Sequence, residues 1–310
     1  AVLHPLMRER GYDDEFAAAI NSSSAVIGPI FPPSIPMIFI SVISGLSLGR
    51  LFLGGVVPGV MMAVFLTVLV AVTCRKKNYR VVKTAMSLRH FASLLRDSIF
   101  TLVGPLVIIA GIVFGVITLV EVAVLAVFYF ILVSVVVYRS IRLRDLFAIF
   151  TETAFFSASI MILFAVVGLF QYIVATEQLG DQLLRVIQHL QMSRAVFLLF
   201  STVFFLLMGC VLDAVPVMLI FFPVLLPIAM SLGVDPVHYG VIVVLNLMIG
   251  LLTPPIGGIL FIQTKIAGLP FRSIVRALWP HTLTLLAVLL LITYIPQLVL
   301  FVPNLVFGGG

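Results

Sequence analysis

The sequence predicts an all-α polytopic membrane protein, built as an inverted repeat of broken helices and re-entrant hairpins. Three observations predict it. The 310-residue chain is 62% hydrophobic and only 10% charged, with a mean hydropathy of +1.29; a soluble domain carries about a quarter of its residues as charges. A hydrophobic helix interrupted by Ile-Gly-x-x-x-Pro-Pro occurs twice, at Ile27-Gly28-Pro29-Ile30-Phe31-Pro32-Pro33 and at Ile249-Gly250-Leu251-Leu252-Thr253-Pro254-Pro255. Basic residues cluster between apolar runs in an alternating pattern that assigns each loop a side of the membrane.

Apolar runs long enough to cross a bilayer, about 20 residues, lie near 51–74, 98–118, 120–138, 153–175, 236–262 and 277–301. None is a cleavable signal, because the first lies well inside the chain. The net charge of +6 is spread over loops, so the partner it implies is a lipid bilayer and not nucleic acid. Cys74 and Cys210 lack metal-ligand spacing and read as small core residues. The five histidines form no pair at ligand spacing and read as interfacial. No H-E-x-x-H, G-x-S-x-G or lysine-bearing phosphate loop occurs. The chain is therefore not expected to be an enzyme, and any pumping would draw on an ion gradient or a partner.

The element order follows from the repeat and the charges. The offset that carries residue 28 onto residue 250 also aligns Leu3 with Leu225, Pro5 with Pro227, Gly11 with Gly233, Asp13 with Asp235, Phe39 with Phe261 and Arg50 with Arg272. Residues 1–44 read as the end of a hairpin followed by the first broken helix, with the hairpin's leading arm expected before residue 1. Residues 45–74 form a crossing helix that ends at the basic stretch 75–97, a cytoplasmic amphipathic connector. Residues 98–176 supply further crossings, and 195–262 a second hairpin and the second broken helix. Residues 263–310 make a cytoplasmic connector and a last helix, whose end falls outside; Gly308-Gly309-Gly310 reads as an expression scar. On this scheme every lysine and arginine except Arg50, Arg185 and Arg194 is cytoplasmic.

The segment 195–232 is cut at Gly209-Cys210-Val211-Leu212-Asp213-Ala214-Val215-Pro216. Its arms, roughly 15–18 residues, are short for full spans, which favours a re-entrant hairpin with its tip near Asp213. The second broken helix is then the fifth crossing after the first, an odd step, which makes the two antiparallel.

Doubled breaks of this kind mark a transporter's binding site. Prolines 29, 32 and 33 remove backbone donors. The freed carbonyls, with the hydroxyls of Ser22, Ser23, Ser24 and Ser34, make an oxygen-rich, charge-poor setting that suits a monovalent cation such as sodium and lacks the carboxylates of calcium sites. The second break offers Asn246 and Thr253. Asp213 is either a cation ligand or a cap of the hairpin tip, since a mid-membrane carboxylate costs about 2.5–3.5 kcal/mol and needs a reason. Glu121 reads as a first-turn cap, and Arg50 and Arg272 as snorkelling anchors.

The motif Ser22-Ser23-Ser24-x-x-Ile27-Gly28-Pro29-x-x-Pro32-Pro33-Ser34-x-Pro36, with Leu51-Phe52-Leu53-Gly54-Gly55-x-x-Pro58-Gly59 and Asn246-x-x-Ile249-Gly250-Leu251-Leu252-Thr253-Pro254-Pro255-x-Gly257, resembles the large membrane subunit of the tripartite ATP-independent periplasmic (TRAP) transporters. The likeness runs over almost the whole chain. It implies an elevator-type, sodium-coupled (Na+) symporter of a bacterial inner membrane, with hairpins and broken helices forming a mobile transport domain. Carried over residue by residue, one cation site involves Ser22, Ser23, Ser24 and Gly28, and the other Gly209, Asp213, Asn246, Gly250 and Thr253; Ser34, Pro33 and Pro255 would face substrate. The implied partners are a small four-helix membrane subunit and a periplasmic substrate-binding protein. The implied substrate is a small organic anion, such as a C4-dicarboxylate, a sialic acid or a keto acid. Residues 119–121 depart from the family pattern, reading Leu-Val-Glu where a Thr-Glu pair is common. Two alternatives remain open at this level: a divalent-anion/sodium symporter that needs no binding protein, and a channel built on re-entrant loops.

Overall fold

The computed structural model describes residues 3–77, 79, 88–113, 115 and 118–308, and among these every regular element is helical. A short α1 (Leu3–Glu9) leads into α2 (Asp14–Ala25), and after a break α3 (Ile35–Ser44) continues to the long α4 (Leu48–Lys76). Then come α5 (Leu88–Val113), α6 (Leu119–Leu132) with a π-helical turn at Val133–Val137, α7 (Leu143–Thr176) and α8 (Leu179–His189). The chain continues through α9 (Arg194–Val211), α10 (Ala214–Ser231), α11 (Pro236–Gly250), α12 (Gly258–Ala267), α13 (Phe271–Tyr294) and α14 (Gln297–Phe307).

Among the described residues, six helices are long and apolar enough to cross a membrane: Leu48–Lys76, Val120–Val137, Leu143–Thr176, Arg194–Val211, Ala214–Ser231 and Phe271–Tyr294. The chain is thus an all-helical polytopic membrane protein. The run 236–262 divides into α11 and α12 at the expected break, whereas 277–301, expected to be continuous, is cut between Tyr294 and Gln297, where Pro296 cannot donate to Ile292. The arms of the hairpin are 18 residues each, or about 27 Å at 1.5 Å per residue. Their length therefore does not by itself exclude crossing. Of the expected connector 75–97, residues 78 and 80–87 lie outside the described residues, while 88–97 open α5.

The chain divides into two compact units, residues 1–80 with 167–310, and residues 81–166. In the second, Gly104 lets α5 and α6 approach closely, since a Cβ there would meet the rings of Phe130 and Tyr129. The Tyr129 hydroxyl donates to the Phe100 carbonyl at 2.6 Å. A capping box starts α6: the Thr118 hydroxyl accepts from Glu121 N, and Glu121 accepts from Thr118 N at 2.8 Å. That is the capping role expected of Glu121, and it accounts for Thr118 too.

In the first unit, α2 packs on α13, α4 on α13 and α14, and α11 on α9, α10 and α13. Glycines set the distances. Gly55 of α4 seats the Ile30 carbonyl and the Met37 side chain, and Gly59 seats Phe31. The start of α2 is tied to the end of α4 by Asp13 and Lys77, 2.5 Å apart. Lys77 also lies over the rings of Phe16 and Tyr79, at 5.6 and 5.8 Å. The lysine holds the Asp13 carboxyl below its usual range. Asp235, the repeat counterpart, instead caps α11 by accepting from Val237 N at 2.8 Å and His238 N at 3.0 Å. Arg50 at the start of α4 donates to the Gly308 carbonyl at 2.8 Å, which occupies the side chain expected to snorkel.

The histidines depart from the interfacial expectation. His4, His238 and His281 are buried, and only His189 is exposed among those whose side chains are described. For His238 the reason is local. Its Nε2–H donates at 2.9 Å to the Ile292 carbonyl, the group that Pro296 leaves without a helical partner. Gln171 does the same for α10, donating at 3.2 Å to the Leu219 carbonyl that Pro223 leaves open. Both bonds satisfy backbone that lipid cannot. The expected outcome of His238→Leu is a loss of about 1–3 kcal/mol, the usual result of orphaning a buried acceptor, with His238→Gln retaining more of the stability; thermal unfolding in detergent checks both.

Candidate functional site

The two breaks are built alike. At the first, α2 ends at Ala25 and the chain tightens through Ile27 N to Ser24 O at 3.2 Å and Ile30 N to Ile27 O at 3.0 Å. Ser34 then caps α3, accepting from Met37 N at 3.3 Å and donating to the Pro29 carbonyl. The hydroxyl thus ties the turn of the break to the start of α3. At the second break, Leu252 N bonds Ile249 O at 3.0 Å and Thr253 N bonds Gly250 O at 2.8 Å. Gly257 opens α12 with φ +56, where a Cβ would also meet Leu260 and the Thr253 carbonyl. Only glycine takes this turn without strain. The Pro32–Pro33 and Pro254–Pro255 bonds are both cis.

The second break is joined to the hairpin. The carbonyl of Cys210, in the last turn of α9, accepts from Ile256 N at 3.2 Å and from Gly257 N at 3.1 Å. Terminal carbonyls of a helix have no partner within it; here one of them accepts from Gly257, the N-cap of α12, and from the residue before it. The approach requires two glycines. A Cβ on Gly250 would lie 2.8 Å from Gly209 Cα and C, and one on Gly209 would lie 3.1 Å from the Leu247 carbonyl.

One turn before Gly250, Asn246 is fully buried. Its Nδ2 donates to the Ile242 carbonyl at 2.8 Å, while its Oδ1 has no partner. Thr253 donates to the Ile249 carbonyl at 3.0 Å, so its oxygen keeps its lone pairs for another donor or a cation. Gly209, Asn246, Gly250 and Thr253 therefore belong to one neighbourhood. Asp213 is exposed and accepts from Val215 N at 3.4 Å as the cap of α10, the capping alternative of its two sequence readings.

In the first break, Ser22 is buried with an unpartnered hydroxyl. Ser23 is buried and donates to the Ala19 carbonyl at 2.8 Å and the Ile20 carbonyl at 3.1 Å. Ser24 and Gly28 are exposed, as are Pro33 and Pro255, whereas Ser34 is buried in its capping role. Sequence reasoning missed the Cys210 carbonyl, because a backbone acceptor carries no side-chain signal. It also missed Gln263 on α12, buried with an unpartnered Nε2. Among the described residues, no three of His, Cys, Asp and Glu gather where a metal ion could be held.

Broken helices joined to a helical hairpin, inside a polytopic all-helical chain, define a membrane transport protein. Residues 1–298 match the family described as "Tripartite ATP-independent periplasmic transporter, DctM component", and the chain belongs to that family. It is 34% identical over 304 residues to the sialic acid TRAP transporter large permease protein SiaM of Vibrio cholerae, covering 98% of this chain and 71% of that protein. It is also 34% identical over 298 residues to the C4-dicarboxylate TRAP transporter large permease protein DctM of Pseudomonas aeruginosa, covering 96% and 70%. To the isethionate TRAP transporter permease protein DctMQ of Oleidesulfovibrio alaskensis it is 32% identical over 297 residues, covering 96% of this chain and 47% of that one. These relatives are permease components and not enzymes.

Gly250→Ala is expected to destabilise the protein by about 1–3 kcal/mol or more, because the added methyl would meet the backbone of α9 at Gly209 and the Leu206 carbonyl. Gly168→Ala in α7, whose Cβ would meet nothing within 4 Å, is expected to stay within about 0.5 kcal/mol. Paired thermal unfolding curves make the comparison.

Proposed function

We propose that this chain is the translocating subunit of a sodium-driven uptake system for a carboxylate-bearing organic anion, in a bacterial inner membrane. The observation that carries the reading is the buried, unpartnered Asn246 Oδ1 one turn from a helix break that is closed by a hairpin. A neutral carbonyl left bare in a dry interior is costly unless a cation or donor meets it. Neutral oxygens without a carboxylate cluster suit a weakly held monovalent ion. Ser22, Ser23 and Thr253 add hydroxyl oxygens, and Ser24 is the repeat counterpart of Asn246. The helix ends sort the charges: α2, α9 and α11 bring their carbonyl ends to the breaks and hairpin, which favours sodium, while α3 and α12 begin there and favour an anion.

In this mechanism sodium at the two breaks fixes the hairpin tip and completes a pocket for the substrate carboxylate. The two broken helices are antiparallel, the hairpin dips in from the outer face, and the C-terminus is periplasmic. Hairpin and broken helices, residues 1–44 and 195–262, move as an elevator against a scaffold drawn from 45–74, 98–176 and the last helices, with 75–97 and 263–270 as cytoplasmic connectors. A periplasmic binding protein delivers the substrate, and a small membrane subunit accompanies this chain. The relatives named for sialic acid, for C4-dicarboxylates and for 2,3-diketo-L-gulonate support a carboxylate. The longer DctMQ relative supports the accompanying subunit.

The test is uptake into proteoliposomes by the full-length system as the sodium concentration is varied. Asn246→Leu, with Thr253→Ala beside it, is expected to raise the sodium needed for half-maximal uptake by about ten-fold, the equivalent of one ligand at 1.4 kcal/mol. Unchanged sodium dependence in both, with unfolding temperature preserved, sinks the assignment.

A further inference from the structure

One face of α13 is exposed along most of its length. Arg272, Arg276, Trp279, Leu283, Ala287 and Leu290 are all exposed, and their spacing of three and four residues sets them in a single stripe. Neither arginine is in an ion pair among the described residues. Pro270, Arg272, Ser273, Val275, Arg276 and Trp279 line an open depression at the start of the helix. Trp279 is 52% exposed and Leu283 50%. Read from the helix start, the stripe runs two guanidinium groups, an indole and then hydrocarbon. Because α13 is apolar enough to cross a membrane, that order runs from an interface into the bilayer.

We propose that this face is a binding site for an anionic phospholipid. The phosphate lies between Arg272 and Arg276, within reach of Ser273, and one acyl chain follows Trp279, Leu283 and Ala287. Two guanidinium forks one helical turn apart match the several oxygens of a phosphate better than point charges would. Indole suits the boundary between headgroup and chain. From Arg276 to Leu290 the stripe rises about 21 Å, more than the hydrocarbon depth of one leaflet, about 15 Å. A free phosphate would use the arginines and leave the apolar stripe without a role. A protein helix seated there would have to bury two unpaired cations. A zwitterionic lipid brings its own amine to the phosphate and so gains less from the pair.

Trp279 is the single tryptophan of the sequence, which makes it a local reporter. The full-length protein is reconstituted into vesicles of mixed phosphatidylglycerol and phosphatidylcholine, with brominated chains on one lipid or the other at equal bromine content. The Trp279→Phe variant supplies the background. In the parent protein, brominated phosphatidylglycerol is expected to quench more strongly, corresponding to a preference on the order of ten-fold, and added inorganic phosphate leaves it unchanged. Arg272→Gln with Arg276→Gln brings the preference close to one, the paired lysine variant keeps most of it, and Arg142→Gln does not alter it. Equal quenching by both lipids in the parent overturns the proposal. So does a preference that survives in the double glutamine variant, displacement by inorganic phosphate, or a Trp279 that no lipid quenches because a protein partner covers it. None of these outcomes depends on sodium-driven uptake.

Discussion

A backbone group that loses its helical partner inside a membrane must find another within the protein, because lipid offers none. This constraint organises the first unit. Its most consequential instance is the Cys210 carbonyl, which accepts both amides that open α12 and so fastens the hairpin to the second break. Elsewhere the same demand is met by side chains. His238 serves Ile292 and Gln171 serves Leu219, and in both cases a proline four residues on has removed the usual donor; Ser34 serves the Pro29 carbonyl within the first break. The prolines open the helices, and neighbouring elements close the openings.

Fastening hairpin to break has a steric condition and an electrostatic consequence. Gly209 and Gly250 must both lack a Cβ, because each backbone occupies the space the other's side chain would need. Once docked, the end of α9, the end of α11 and the start of α12 converge on one region, with Asn246 Oδ1 unpartnered one turn away. Carbonyl ends and amide ends in the same place offer partial charges of both signs without any ionised group. That arrangement is the physical basis for proposing that a cation and an anionic substrate bind near each other.

Much of this was legible in the sequence. The boundaries of α2, α3, α9, α10, α11 and α12 follow from proline, glycine and the Asp213 tip, because those residues alter the backbone directly. The same reasoning failed at Pro296, where a continuous apolar run concealed the division between α13 and α14; hydropathy registers side chains and not missing amides. It failed at His238 for a related reason, since a histidine that repairs a distant carbonyl looks like any other until the carbonyl's position is known. The site was half readable. Asn246, Gly250 and Thr253 stand out as polar or small residues around a break, whereas the role of Cys210 lies in its backbone and that of Gln263 in its burial.

The central claim, that the hairpin closes the second break and that sodium tightens the closure, is most directly tested by hydrogen–deuterium exchange of a peptide spanning 254–260 in the full-length protein in nanodiscs. The account expects slow exchange at Ile256 and Gly257, slower still with sodium than with an equal concentration of choline, and fast exchange once Gly209→Val pushes the hairpin away. Exchange as rapid as in an exposed loop, or protection indifferent to both sodium and Gly209→Val, would contradict it.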